Sequence, residues 1–253
     1  MSKPILYHGE PNGPSLSVLA ALEESGLEIE CRYIELALGA RHRELHKAGS
    51  EIVETVFADF AVEGEGPVLV AEGEAMSEAV FLAQYFDEAA GGCGLQPQDP
   101  YAHWQMLMWC RQATERLSPA VAYLGNLAFT RPDVRQWNGM DFDGAVMLIE
   151  SEDLRARWRE LRDSEAEPVK IADSKAKIDQ FAERIERQLA DGRDWLMGDF
   201  SIADLETFAW MRPAQLLKAD AFAGKPALAT WMECVEARPS VQAALARAQT
   251  DDP

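Results

Sequence analysis

At 253 residues, 47% of them hydrophobic and 26% charged, the chain has the length and composition of a globular protein with one large or two modest domains. With 43 acidic and 24 basic residues the formal net charge is −19, which repels nucleic-acid phosphates and anionic membrane surfaces. No apolar run reaches the roughly 20 residues that span a bilayer. The start, Met1 to His8, runs straight into a strand-like segment without a signal-peptide core, so a cytoplasmic protein is expected.

In chain order, residues 4–8 read as a first strand. Gly9 to Pro14 is a dense turn signal, and Pro14 suits the first turn of a helix, where its missing N–H is not needed. Leu16, Leu19, Ala20 and Leu22 carry the helical period, and Gly26 is placed to end it as a C-cap. Ile29 to Leu36 reads as a second strand. Residues 39–56 are ambiguous between an irregular solvated helix and an anion site. Arg41, His42, Arg43, His46 and Lys47 make that segment the densest basic cluster of the N-terminal half.

Gly64 to Phe86 then packs strand, tight turn at Gly73, strand and helix into few residues, with Ser77 available as the helix cap. The order β-α-β-α-β-β-α predicts a four-stranded mixed sheet with helices on its faces. Gly91, Gly92, Gly94, Pro97 and Pro100 mark residues 88–101 as a linker. Beyond it all seven tryptophans are found and helical periodicity dominates, so residues 102–250 read as an all-helical domain and 1–87 as an α/β domain. Residues 130–144 read as irregular, and Asp163 to Pro168 as a break between helices. Ser201 and Asp204 resemble a capping box ahead of an almost wholly apolar helix.

Four scattered cysteines without a CxxC pair suit a reducing compartment and argue against a disulfide scaffold or zinc site. His42 and His46 are four apart but lack an HExxH setting, so no metal is expected.

Three features together resemble the glutathione transferase superfamily: the N-terminal module with Pro67 opening its third strand, the acidic Glu78 at the following helix, and the all-helical second half. Gly198-x-x-Ser-Ile-Ala-Asp204 and the later Trp…Ala-Arg-Pro ending are similar to that superfamily's C-terminal signature. Within it, the segment from Asn12 to Glu28 resembles the serine-type bacterial β-etherases, which cleave lignin-derived aryl ethers with glutathione. The resemblance implies a thioredoxin-like N-terminal domain, an all-α C-terminal domain and a dimer with a homologous subunit.

It also implies site residues. Ser15 would stabilise the glutathione thiolate at a helix N-terminus; the bland reading is a helix cap, and Ser17 is a nearby alternative. Gly66 and a cis Pro67 would present backbone to the cysteinyl part. Glu78 would hold the γ-glutamyl end, where the family's serine is replaced by Ala79. His42, with Arg41 or Lys47, would hold the glycyl carboxylate, against crowding from Glu51, Glu54, Asp59, Glu63 and Glu65. An aromatic substrate would meet Trp104, Met108, Trp109, Tyr123, Trp210 or Met211, although the helical spacing of these residues favours core packing. The readings that follow are an enzyme that uses Ser15 to attack an aromatic ether, with a general glutathione transferase as its broader form, or a non-catalytic partner subunit that binds glutathione weakly in a heterodimer with a catalytic homologue. A redox protein is disfavoured because Ser15, not a cysteine, stands in the first loop.

Overall fold

A computed structural model describes residues 3–34, 66–72, 74–149 and 151–247. They form two compact units that interleave along the chain. One takes the described parts of Met1–Glu10, Glu28–Glu78 and Gly125–Glu167; the other takes those of Pro11–Leu27, Ala79–Leu124 and Pro168–Pro253.

The first unit holds the sheet. Its strands are β1 (Ile5–His8), β2 (Glu30–Tyr33), β3 (Val68–Ala71) and β4 (Glu74–Met76), in the order β2-β1-β3-β4. β1 pairs parallel with β2 and antiparallel with β3, and β3 pairs antiparallel with β4, the mixed sheet expected from the sequence. Alternation along the strands decides the faces. Ile5 and Tyr7 lie opposite Val70 and Val68, and with Ile34 and Ala75 they form one apolar cluster. Leu6 and Leu69 point the other way and are wholly buried. The second strand is shorter than expected, although the Ile34 N–H still donates to the His8 carbonyl at 2.8 Å.

Residues 130–144, expected to be irregular, are helical instead. A π-turn (Asn126–Thr130) is followed by α5 (Arg131–Gln136), α6 (Gly139–Met147) and α7 (Glu152–Asp163). α5 and α6 are too short to show a helical period, but each has a start signal. Pro132 lies in the first turn of α5, and Asn138 caps α6 by accepting the Asp141 N–H at 3.0 Å. Phe142, Val146, Ile149, Leu154 and Trp158 form their core. The expected break does fall after Asp163.

The second unit is helical: α1 (Gly13–Ser25), α2 (Ala79–Ala89), α3 (Pro100–Gln112) and, after a π-turn (Ala113–Leu117), α4 (Ser118–Gly125). Then come α8 (Pro168–Gln188), α9 (Ile202–Leu217), α10 (Pro226–Glu236) and α11 (Pro239–Leu245). α1 is its hub, packing on α2, α9 and α11. Gly26 ends α1 in the left-handed conformation, φ 65°. Two ties fix α1 to the end of the unit. Glu24 accepts from Arg238 at 2.8 Å and from Ser240 at 2.5 Å, and Glu23 pairs with Arg247. Among the described residues no helix is long and apolar enough to cross a membrane.

The loop after α2 is closed by one buried carboxylate. Asp87 accepts from the Leu95 N–H at 3.0 Å, the Gln96 amide at 3.1 Å and the Cys93 thiol at 3.1 Å. Burial pushes the Asp87 carboxyl up, but these bonds outweigh it and hold it below the usual range. For Cys93, burial and then the bond to Asp87 push the thiol up to about 11. At pH 8 only about 0.1% of such a thiol is ionised. Iodoacetamide should therefore alkylate Cys93 at least tenfold more slowly than a model thiol, and Asp87→Asn should speed it. Peptide mass spectrometry checks both; wild-type labelling as fast as the model thiol would refute the expectation.

Candidate functional site

The start of α1 is shaped by three consecutive residues. Asn12 is extended at the cap position and makes no side-chain capping bond. Gly13 follows with φ +47°, a conformation that favours glycine. Pro14 then takes the first turn, as the sequence suggests.

Gly13 is also needed for space. A Cβ there would come within 3.2 Å of the Trp210 indole. Trp210 is held in turn by Glu206 one helical turn earlier on α9, whose Oε1 accepts the indole N–H at 3.0 Å. The sequence placed Trp210 as core packing or as an aromatic facing a substrate, and did not reveal this clamp on the α1 loop. The signal was Glu206 itself, a second carboxylate after Asp204 in an otherwise apolar run.

Ser15 is the third residue of α1 and is buried. Asn12 occupies the cap position, so Ser15 is not the cap residue. Its hydroxyl belongs to the first turn, where unpaired backbone N–H groups and the helix dipole favour negative charge. Ser17 is equally buried, and its hydroxyl has no hydrogen-bond partner among the described residues.

Gly66, Pro67 and Glu78 fall in the first unit, and Ala79 in the second. Pro67 is buried immediately before β3, but no peptide bond among the described residues is cis. The Gly66–Pro67 bond is therefore trans, against the expectation carried by the resemblance. Trans is the ordinary state of an X-Pro bond, favoured by about 0.5–1 kcal/mol.

α2 begins at Ala79, later than a cap at Ser77 would place it. Glu78 precedes it, exposed and with φ +71°. A side chain in the left-handed region costs roughly 1–2 kcal/mol, and such strain concentrates at functional positions. We expect Glu78→Gly to raise stability by about 0.5–1 kcal/mol in a urea melt; a loss of stability would show that no strain is stored there. Ser15 and Ala79 lie on helices that pack on one another. His42, Arg41, Lys47 and the nearby acidic residues lie outside the described residues.

The aromatic supply divides. Trp109 is core: buried, its indole N–H on the Thr207 hydroxyl at 2.9 Å and Arg184 over its ring at 4.0 Å. Met211 is also core. Trp104 is exposed and stacked on Tyr101, while Met108, Tyr123 and Trp210 are half-buried. No described cysteine stands in the β1–α1 loop, and the buried Cys110 thiol is pushed well up, first by burial and then by Glu206 and Asp204.

Comparison with known proteins agrees with this architecture. Residues 152–248 match the family described as glutathione S-transferase, C-terminal domain. Protein LigF of Sphingobium sp. strain SYK-6 is 22% identical over 98% of this chain and 95% of its own length. The crystal structure of β-etherase LigF from the same strain superposes with a TM-score of 0.82 at 20% identity, covering 98% of this chain and 100% of that one. A glutathione transferase homologue from Sulfitobacter with bound glutathione gives a TM-score of 0.61 at 21% identity, with coverages of 96% and 97%. The chain thus has the glutathione transferase fold, a thioredoxin-like sheet module with an all-helical C-terminal part, and it resembles that superfamily, β-etherases included.

Proposed function

We propose that the chain is a glutathione-dependent transferase subunit acting on an aromatic ether, in a cytoplasmic dimer with a homologous chain. The observation that supports this best is the preorganised start of α1. Gly13 and Trp210 fix the loop, and Ser15 stands in the first turn rather than at the cap. Bound glutathione would supply a thiolate that displaces a phenolate from the ether carbon. Ser15 would donate a hydrogen bond to the sulfur, with the first-turn dipole favouring its charge. Glu78 would face the ammonium of the γ-glutamyl end, and the backbone at Gly66–Pro67 the cysteinyl peptide. We place the boundary between the two domains at 87, with a linker over 88–101.

The residues fit glutathione unevenly. Ala79, the first residue of α2, offers a backbone N–H but no hydroxyl, and a missing bond to a charged group costs roughly 1.5–3 kcal/mol. This observation favours a second reading, in which the chain is the non-catalytic half of a heterodimer. Calorimetry on the isolated chain separates the two. Weak glutathione binding, with a Kd above about 1 mM, together with co-purification of a homologous chain supports the second reading. Tight binding that is lost in Ser15→Ala and in Glu78→Ala supports the first and sinks the second.

A further inference from the structure

The chain carries a net charge of −19, yet one cavity of the second unit is lined by cations. The cavity, about 250 Å³, lies between α8 and the turn joining α3 to α4. Gln112 and Arg116 line one side, and Lys177, Gln180, Phe181, Arg184 and Arg187 of α8 the other. The spacing 177, 180, 184, 187 places the second set on one face of α8. On the first side the π-turn (Ala113–Leu117) resets the helical phase between Gln112 and Arg116, and π-turns are frequent at functional sites.

The acids nearest in sequence are engaged by other bases or at the rim. Glu115 is held by Arg111 at 2.7 Å, Asp179 by Lys218 at 2.7 Å, and Asp173 by Lys177 at 2.6 Å. Glu183 lies 3.8 Å from Arg187 and 3.9 Å from Lys225. Among the described residues, Arg116 and Arg184 have no carboxylate partner. Arg184 is half-buried, its guanidinium over the Trp109 and Phe181 rings. Burial and then the neighbouring Arg187 charge hold its pKa below the usual value. Every polar side chain lining the cavity can donate, and none is an acid. Such a set favours an oxyanion and rejects a cation. The volume exceeds that of a bare phosphate.

We propose that this cavity binds a small organic oxyanion, a phosphate or carboxylate on a compact carbon body, at a site separate from the start of α1. Arg116 and Arg184 clamp the anion, while Lys177 and Arg187, paired with Asp173 and Glu183, line the rim. Phe181 offers the carbon body an apolar contact.

Phenyl phosphate is the probe, titrated by calorimetry against the full chain with inorganic phosphate and benzyl alcohol as controls. The expected Kd is about 0.1–1 mM, at least tenfold tighter than either control and weakening as salt rises. Arg116→Gln and, separately, Arg184→Gln should each weaken binding about tenfold. Arg116 is exposed, so its variant tests the site even if Arg184→Gln unfolds. Ser15→Ala should leave phenyl phosphate binding unchanged, which separates this site from the proposed glutathione site. No heat of binding, binding no better than inorganic phosphate, or full binding in Arg116→Gln would overturn the proposal.

Discussion

Replacing Asp204 by Ala should cost about 3–5 kcal/mol, a large part of a typical domain stability of 5–15 kcal/mol. The side chain is completely buried and its two oxygens are both used. Oδ1 accepts the Leu196 N–H and the Trp231 indole N–H, each at 2.9 Å. Oδ2 accepts the Ser201 N–H at 3.0 Å and the Ser201 hydroxyl at 3.2 Å. One carboxylate thus joins the loop before α9, the start of α9 and the middle of α10. Alanine leaves three buried N–H donors without an acceptor, each worth roughly 1–3 kcal/mol before relaxation. A fall in melting temperature of about 10 °C or more is expected, and a fall under about 3 °C would contradict this account.

The same group sets a pH dependence. Burial pushes the Asp204 carboxyl up to about 6 against the pull of its four donors. The folded state therefore holds a proton that the unfolded chain releases between pH 4 and 6. Stability from this group is fully present below the unfolded pKa and is lost as pH rises through about 6. Acidification also relieves the general acidic self-repulsion, so the comparison is with Asp204→Asn, which cannot titrate. Between pH 7 and 5 the wild type should gain melting temperature relative to that variant. An equal gain in both would show that Asp204 does not titrate there.

Ser15→Ala should lower kcat/KM for glutathione-dependent cleavage of an aryl ether by about ten- to a hundredfold, the value of one hydrogen bond to an anionic sulfur. The pH–rate profile should move to higher pH, because the thiolate loses its donor. Stability should change little, since a hydroxyl and not a packed group is removed. Ser17→Ala is the matched control: its unpartnered buried hydroxyl predicts about 1 kcal/mol of added stability with the rate untouched. If Ser17→Ala abolishes the rate and Ser15→Ala does not, the roles are reversed. If the isolated chain is inactive in both forms, the non-catalytic reading holds.

The sequence made the mixed four-stranded sheet and the main helix ends legible because each is set by local chemistry. Pro14, Gly26, Pro168 and Ser201 each constrain the backbone at one position, and the structure follows them. The helices α5 and α6 escaped because six to nine residues hold too little period to read. The site was less legible than the fold. Ser15 could be placed by motif, but its burial and the Trp210–Gly13 contact join residues nearly 200 positions apart. The left-handed Glu78 and the trans bond at Pro67 left no mark in residue types. The basic cavity is not legible in the sequence because Arg116 and the α8 cations stand far apart in the chain and only the fold brings them together.

The ties from Glu23 and Glu24 to Arg238, Ser240 and Arg247 have a consequence for how the chain is made. α1 leaves the ribosome well before these partners, which lie 214 to 224 residues later in the chain. Until then its wholly buried face lacks α9 and α11 to cover it. Closing so long a loop is slow, and an apolar helix kept waiting is exposed to aggregation. α1 therefore cannot settle until these late partners have been made, and chaperone demand should fall on nascent chains that carry α1 without α9 and α11.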